Sequence, residues 1–156
     1  MNVVFMGTME FAVPILSGLA KKYDVKLVVT QPDRPYGRKQ ELKPSPVKEK
    51  ALELGLDIFQ PESIKKNNER IRMAKPDLIV VAAYGQMIPE SILDYPCYKS
   101  VNVHGSLLPG YRGGAPMQRA IMNGDAQTGV TLLYMVKKMD AGDIIAKKEV
   151  AISEQD

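Results

Sequence analysis

The sequence predicts an α/β fold with an open, mostly parallel sheet and helices on both of its faces. Apolar runs at residues 3–6 and 25–30 flank a stretch with helical apolar spacing, residues 11–22, and a strand–helix–strand order of this kind is typical of parallel strands. Residues 78–83 carry no polar side chain, which indicates a strand buried on both faces. The 156 residues are 45% hydrophobic and 25% charged, as expected for one globular domain.

The middle of the chain alternates between breaks and short elements. Residues 31–46 hold Pro32, Pro35, Pro44 and Pro46 among basic residues, so we predict a long, basic, mobile loop without regular structure. A helix is predicted over residues 47–54 because Gly55 follows it as a stop signal.

A short strand at residues 58–59 and a helix over residues 63–74 come next. Ser63 is a residue type that caps helix N-termini, which places the start of the second helix there. The buried strand at residues 78–83 then ends at Tyr84-Gly85-Gln86, and a helical turn is predicted at residues 89–93.

Residues 100–104 alternate between apolar and polar side chains, which is typical of a half-buried strand. The alternation places Asn102 and His104 on one face. Thr30, Tyr84 and His104 each end a predicted strand, and ligands of open α/β sheets bind beyond such carboxyl ends.

The C-terminal third is predicted as a loop, a helix and two strands. Glycine and proline mark a loop over residues 106–114, and Pro116 lies in the first turn of a helix over residues 115–122. Two closing strands, residues 128–136 and 144–150, flank a loop at residues 137–143.

Residue counts exclude several classes of function. Cys97 is the single cysteine and His104 the single histidine, so an intrachain disulfide, a cysteine-based zinc site and a multi-histidine metal site are excluded. The net charge of +3 permits nucleic-acid binding but does not require it. Glycine-rich dinucleotide and P-loop motifs are missing from the sequence. The start of the chain does not resemble a signal peptide, no apolar run is long enough for a membrane span, and we expect a cytoplasmic location without a membrane partner.

The most informative polar group is the pair formed by Asn102 and His104. An amide and an imidazole on one strand face can both donate hydrogen bonds to one oxygen, as a developing oxyanion requires. Asp140 is the candidate carboxylate partner, and such a neighbour would raise the pKa of His104. Taken separately, a structural histidine and a turn aspartate explain the same residues, so both alternatives stay open at this point.

Longer motifs then point to a family. Residues 102–109 read NVHGSLLP, residues 111–116 read YRGGAP and residues 139–143 read MDAGD, and together they resemble the formyltransferase family that uses 10-formyltetrahydrofolate. Residues 5–12, 30–38, 44–48 and 81–85 are similar to segments of the members whose acceptor is methionine carried by initiator tRNA. Because the segments follow each other in the family's order along the whole chain, the resemblance is specific.

The resemblance implies a Rossmann-like formyltransferase fold and a role for each matching residue. Residues 1–156 would form the catalytic domain, incomplete at its C-terminal end, without the family's C-terminal β-barrel that also holds the tRNA. Arg38 matches a basic residue in the tRNA-binding loop. The expected catalytic residues are Asn102, His104 and Asp140, and the expected folate-binding residues are Ser106, Leu107, Leu108, Pro109, Gln86, Met87 and Ile88.

The implied reaction serves translation initiation and requires no metal. The α-amine of methionyl-tRNA would attack the formyl carbon of 10-formyltetrahydrofolate, and the resulting oxyanion would be held by Asn102 and His104 with Asp140 assisting. We expect a monomer whose partners are initiator tRNA and folate. The alternatives are formyl transfer to a small amine, hydrolysis of formyl-folate, or a non-catalytic RNA- or nucleotide-binding α/β module.

Overall fold

A computed structural model describes residues 1–105, 127–135 and 144–151. The chain forms two compact units, Met1–Ser100 and Val101–Asp156. The predicted loop over residues 106–114, the helix over residues 115–122 and the loop over residues 137–143 lie outside the described residues. The described strands and helices are, in chain order, β1 (Asn2–Gly7), α1 (Val13–Lys22), β2 (Asp24–Val29), β3 (Arg34–Tyr36), β4 (Glu41–Lys43), α2 (Pro46–Glu53), β5 (Ile58–Phe59), α3 (Glu69–Met73), β6 (Leu78–Ala82), α4 (Glu90–Leu93), β7 (Ser100–His104), β8 (Gln127–Tyr134) and β9 (Ile144–Ala151).

A parallel sheet forms the centre of the first unit and confirms the main prediction from the sequence. Its strands are ordered β5-β2-β1-β6, and each neighbouring pair runs parallel. The side chains of β1 from Val3 to Met6 are fully buried, because this strand has a partner strand on each side and apolar neighbours on both faces.

Two helices of the first unit pack against each other, α1 and α2. Helix α1 has a proline in its first turn and lysines in its last, as helix termini favour. The Ser45 hydroxyl caps α2 by accepting a hydrogen bond from the Lys48 N–H at 3.0 Å, and it lies 2.6 Å from the Thr30 hydroxyl. Gly55 follows α2 with a φ of +70°, so the predicted stop is confirmed.

The prediction that residues 31–46 hold no regular element is wrong. Strands β3 and β4 form an antiparallel hairpin, with Pro35 opposite Leu42. A proline is tolerated in a two-stranded ribbon because both strands are edges, where an N–H need not join a ladder. Gly37 and Gln40 turn the chain with φ of +74° and +53°, and the Lys43 ammonium lies 4.5 Å from the centre of the Tyr36 ring.

The helix predicted over residues 63–74 is also too long, because only α3 forms there. The Ser63 carbonyl accepts hydrogen bonds from the N–H groups of Lys66 and Asn67, which makes a single turn. The Asn68 side chain then donates to the Ile64 carbonyl at 3.0 Å. Asparagine side chains that bond the backbone compete with helix propagation, so the helix starts again only at Glu69.

The second unit contains antiparallel strands, as the two predicted closing strands suggest. Strand β7 pairs with β8, which places Val101 opposite Tyr134, and β8 pairs with β9, which places Gln127 opposite Ala151. Among the helices that the structure describes, none has the length and apolar character needed to cross a bilayer.

Candidate functional site

Strand β7 carries the two candidate oxyanion donors. Asn102 and His104 are two residues apart in an extended strand, so their side chains project from the same face, as predicted. His104 is 5% exposed, whereas Asn102 is partly exposed. Each of the two has an interaction partner in the structure. The strand therefore presents an amide and a buried imidazole side by side.

Thr131 is a residue of this site that the sequence analysis missed. It lies on β8 directly opposite His104 and is fully buried, and it too has an interaction partner. Directly opposed residues in an antiparallel pair project from the same face, so a buried hydroxyl accompanies the imidazole. The sequence analysis could not predict this neighbour, because the register between β7 and β8 cannot be deduced from the sequence of either strand.

The remaining expected members of this constellation lie outside the described residues. They are Asp140, the expected third catalytic residue, and the expected folate-loop residues Ser106, Leu107, Leu108 and Pro109. Their roles stay predictions.

In the first unit, hydrogen bonds join the residues that follow β1, β2 and β6. The Thr8 hydroxyl donates to the Tyr84 carbonyl at 2.5 Å and accepts from the Gln31 N–H at 3.3 Å. The Ala83 carbonyl accepts from the Thr8 N–H at 3.0 Å. The carboxyl ends of these three parallel strands thus form one connected edge, as the sequence predicts for Tyr84.

The segment expected to meet the pterin ring, Gln86 to Ile88, continues from this edge. The Gln86 carbonyl oxygen Oε1 accepts from the Ile64 N–H at 2.8 Å, and Nε2 donates to Gln31 Oε1 at 2.7 Å and to the Pro61 carbonyl at 3.2 Å. Met87 is 65% exposed and Ile88 is 9% exposed. These hydrogen bonds occupy the Gln86 side chain, so a ligand would contact Gln86 through its backbone.

Asp33 anchors the base of the β3–β4 hairpin. Its carboxylate accepts from Gln60 Nε2 at 2.8 Å and from the Lys48 ammonium at 3.0 and 3.1 Å. The hydrogen bond from Gln60, followed by that from Lys48, lowers the pKa of the Asp33 carboxyl. The sequence analysis did not single out this group, since its three members are distant in sequence.

The hairpin itself presents cations and an aromatic ring to solvent. Arg38 lies in the exposed turn between β3 and β4, and Arg34, Lys39 and Lys43 are exposed as well. The Tyr36 ring is 67% exposed although Lys43 lies over it. An exposed cation at residue 38 suits a phosphate, and the ring suits a base, so the hairpin has the chemistry of an RNA contact.

Tyr84 is the other notable group at the edge. Its hydroxyl is buried and has no hydrogen-bond partner among the described residues, and burial raises the pKa of Tyr84 to about 12. The phenol is therefore uncharged at neutral pH. Within the described ranges, no three histidine, cysteine or acidic residues group as a metal site would require.

Comparison with known proteins assigns the chain to a family. A family model described as formyl transferase matches residues 1–156. The chain is 51% identical to methionyl-tRNA formyltransferase of Listeria monocytogenes over 99% of its own length and 50% of the relative's. It is 55% identical to the Limosilactobacillus fermentum protein of that name, again over 99% of this chain and 50% of the relative. The chain thus spans about half the length of the curated relatives it matches.

Solved structures of formyltransferases share the fold. Phosphoribosylglycinamide formyltransferase from Bacillus halodurans superimposes with a TM-score of 0.76 at 24% identity, covering 100% of this chain and 82% of that one. Glycinamide ribonucleotide transformylase 1 from Geobacillus kaustophilus gives 0.74 at 27% identity, covering 99% and 84%. The Rossmann-like fold predicted from the sequence is therefore confirmed, and the chain belongs to the formyl transferase family.

Proposed function

We propose that the protein transfers a formyl group from 10-formyltetrahydrofolate to the α-amine of methionine esterified to initiator tRNA. The observation that carries the proposal is the shared face of Asn102 and His104 on β7, with His104 buried. The identity of 51% to methionyl-tRNA formyltransferase along 99% of the chain supports this choice of acceptor.

The proposed step is an acyl transfer through a tetrahedral intermediate. The amine lone pair forms a bond to the formyl carbon, and the carbonyl π electrons move to oxygen. Asn102 and His104 donate hydrogen bonds to that oxyanion, which stabilises it most when the charge is fully developed. The intermediate then releases the folate nitrogen, which takes up the proton lost by the attacking amine. Asp140 is proposed to assist this proton transfer.

Folate and tRNA would contact different parts of the chain. The folate donor is assigned to the backbone of Gln86, Met87 and Ile88, together with the loop at residues 106–109. The tRNA acceptor stem is assigned to the β3–β4 hairpin through Arg38, since the exposed cations there complement phosphates. We also propose that the protein acts as a monomer in the cytoplasm.

The test is a formylation assay with labelled 10-formyltetrahydrofolate and charged initiator tRNA, using the full-length protein. We expect the N102A variant to lose about 100- to 1000-fold in kcat, because one oxyanion donor is missing. The matched control is N67A, which removes the amide of an exposed asparagine and should keep the wild-type rate. An N102A protein with near-normal turnover would contradict the assignment.

The same assay separates the alternatives. Ribonucleotide and amino-sugar amines are offered in place of tRNA, and release of labelled formate without an acceptor measures hydrolysis. Formylation of a small amine in preference to charged tRNA would replace the proposed acceptor. Binding of RNA without any formyl transfer would favour the non-catalytic module.

A further inference from the structure

We propose that Gln31 and Gln86 form an amide pair that positions the backbone of residues 85–88 to receive the folate donor. The proposal rests on the function given above, in which this segment contacts the folate. It makes the Gln86 side chain a positioning group that acts through the fold, while the backbone of Gln86 remains the part assigned to the folate. It also gives a role to Gln31, which the proposed reaction does not use.

The two side-chain amides have matched hydrogen-bond partners. Gln31 Nε2 donates to the Gly85 carbonyl at 3.0 Å, and Gln31 Oε1 accepts from Gln86 Nε2 at 2.7 Å. Gln86 Nε2 also donates to the Pro61 carbonyl, and Gln86 Oε1 accepts from the Ile64 N–H. Rotation of either amide by a half-turn would set donor against donor and oxygen against oxygen. One orientation of the pair is therefore strongly favoured.

Gly85 shows how closely the pair and the backbone fit. A Cβ at this position would lie 2.9 Å from Gln31 Nε2, and the φ of +103° is a conformation that other residues rarely adopt. The φ favours glycine at residue 85, and a Cβ there would displace the end of the Gln31 side chain. The Gln31 amide thus lies against the backbone just after the end of β6, where the hydrogen bonds of the sheet no longer hold the chain in place.

Gln31 is itself held from two other directions. Its N–H donates to the Thr8 hydroxyl at 3.3 Å, and its carbonyl accepts from Gln60 Nε2 at 3.2 Å. Side-chain amides therefore hold residues 85–88 in place relative to the ends of the parallel strands. A folate that bonds this backbone would meet groups already in place, which lowers the ordering cost of binding.

Replacing Gln86 by glutamate tests the proposal with one atom changed. In Q86E an oxygen replaces Nε2 and faces Gln31 Oε1 and the Pro61 carbonyl, so attraction becomes repulsion. We expect KM and the directly measured Kd for 10-formyltetrahydrofolate to rise about 10-fold or more, with kcat at saturating donor within about 3-fold of wild type. The matched control N67D makes the same amide-to-carboxylate change on the surface and should bind the donor normally.

A second variant covers a failure of Q86E to fold, checked by its near-ultraviolet circular dichroism. Q31M keeps the length of the side chain and removes its amide bonds to Gly85 and Gln86, and we expect the same split between KM and kcat. If Q31M or a folded Q86E binds the donor as N67D does, or loses kcat with KM unchanged, the positioning role is wrong. If the wild-type protein does not use 10-formyltetrahydrofolate, the proposed function fails instead.

Discussion

A methyl group at Gly7 would lie 2.7 Å from the Ala82 carbonyl oxygen and 2.8 Å from a carbon of the Phe5 ring. Gly7 and Ala82 are paired residues of β1 and β6, so neither backbone can retreat without disturbing the sheet. We expect G7A to lower the free energy of unfolding by about 1–3 kcal/mol, measured by urea denaturation.

The matched control for G7A is G18A. Gly18 lies in α1 with open space where its Cβ would be, so alanine there should raise the free energy of unfolding by about 0.5–1 kcal/mol. The opposite signs separate crowding at the strand end from the general effect of replacing glycine. Equal effects of the two substitutions would contradict the crowding argument.

The Asp33 carboxylate gives a prediction for acid pH. Its pKa is below the ordinary 3.8 in the folded chain, so the unfolded chain takes up the proton first as the pH falls. Its contribution to stability is complete above the ordinary pKa and is lost as the pH falls through the lower, folded value. We expect D33N to be less stable than wild type near pH 7, and the difference to shrink below about pH 4.

Urea denaturation across this pH range measures the effect of D33N. The control is D57N, which removes the carboxylate of an exposed aspartate and leaves the hydrogen bonds of Asp33 in place. A D33N difference that did not depend on pH would mean that the hydrogen bonds to Asp33 do not favour its charged form.

At the scale of single residues, the sequence could predict arrangements of residues that are close along the chain but not of residues that are distant. Asn102 and His104 are placed on one face by a period of two residues, which local sequence reveals. The partnership of Gln31 with Gln86, and the position of Thr131 opposite His104, arise only when distant strands adopt a register. Such contacts have no local signature, so they could not be predicted.

The β3–β4 hairpin shows how an element can form against local propensity. Its prolines argued against any strand, yet two three-residue strands pair around a turn in which Gly37 and Gln40 adopt positive φ. Proline lacks a backbone N–H. In a two-stranded ribbon both strands are edge strands, in which some N–H groups have no partner strand to bond. The shortened helix α3 shows the reverse case, in which apolar spacing predicted a helix and an asparagine side chain interrupted it.

The hairpin also carries a prediction about RNA. One face of the Tyr36 ring has Lys43 over it, and the ring is still 67% exposed. We expect Y36A to weaken tRNA binding by about 1–3 kcal/mol through loss of stacking, without changing the slope of log Kd against log salt. R38A should weaken binding and reduce that slope by about 1, because one phosphate contact is lost.

Filter binding at several salt concentrations measures both quantities for the hairpin variants. Y36F keeps the ring and should bind as wild type does. K21A removes an exposed cation from α1 instead of the hairpin and should change neither quantity. If binding depended neither on salt nor on the two hairpin substitutions, the hairpin would be a solvated charged segment that does not contact RNA.

For the molecule as a whole, the order of apolar runs was enough to predict the parallel sheet. Each of the strands in the order β5-β2-β1-β6 is predicted by an apolar stretch, and each crossover connection is predicted by a helix or loop of sufficient length. The family followed from motifs in the right order, which the match over residues 1–156 confirms. Composition could not reveal the substrate, because an acceptor is recognised by the arrangement of side chains in space.

The edge where the folate is proposed to bind owes its polar framework to glutamine amides. An amide neither gains nor loses a proton in water at any acidity that a folded protein tolerates. Its hydrogen bonds therefore keep the same donors and acceptors wherever Asp33 stays ionised. Over that range, the amide hydrogen bonds that are proposed to position residues 85–88 would contribute no pH dependence of their own to donor binding.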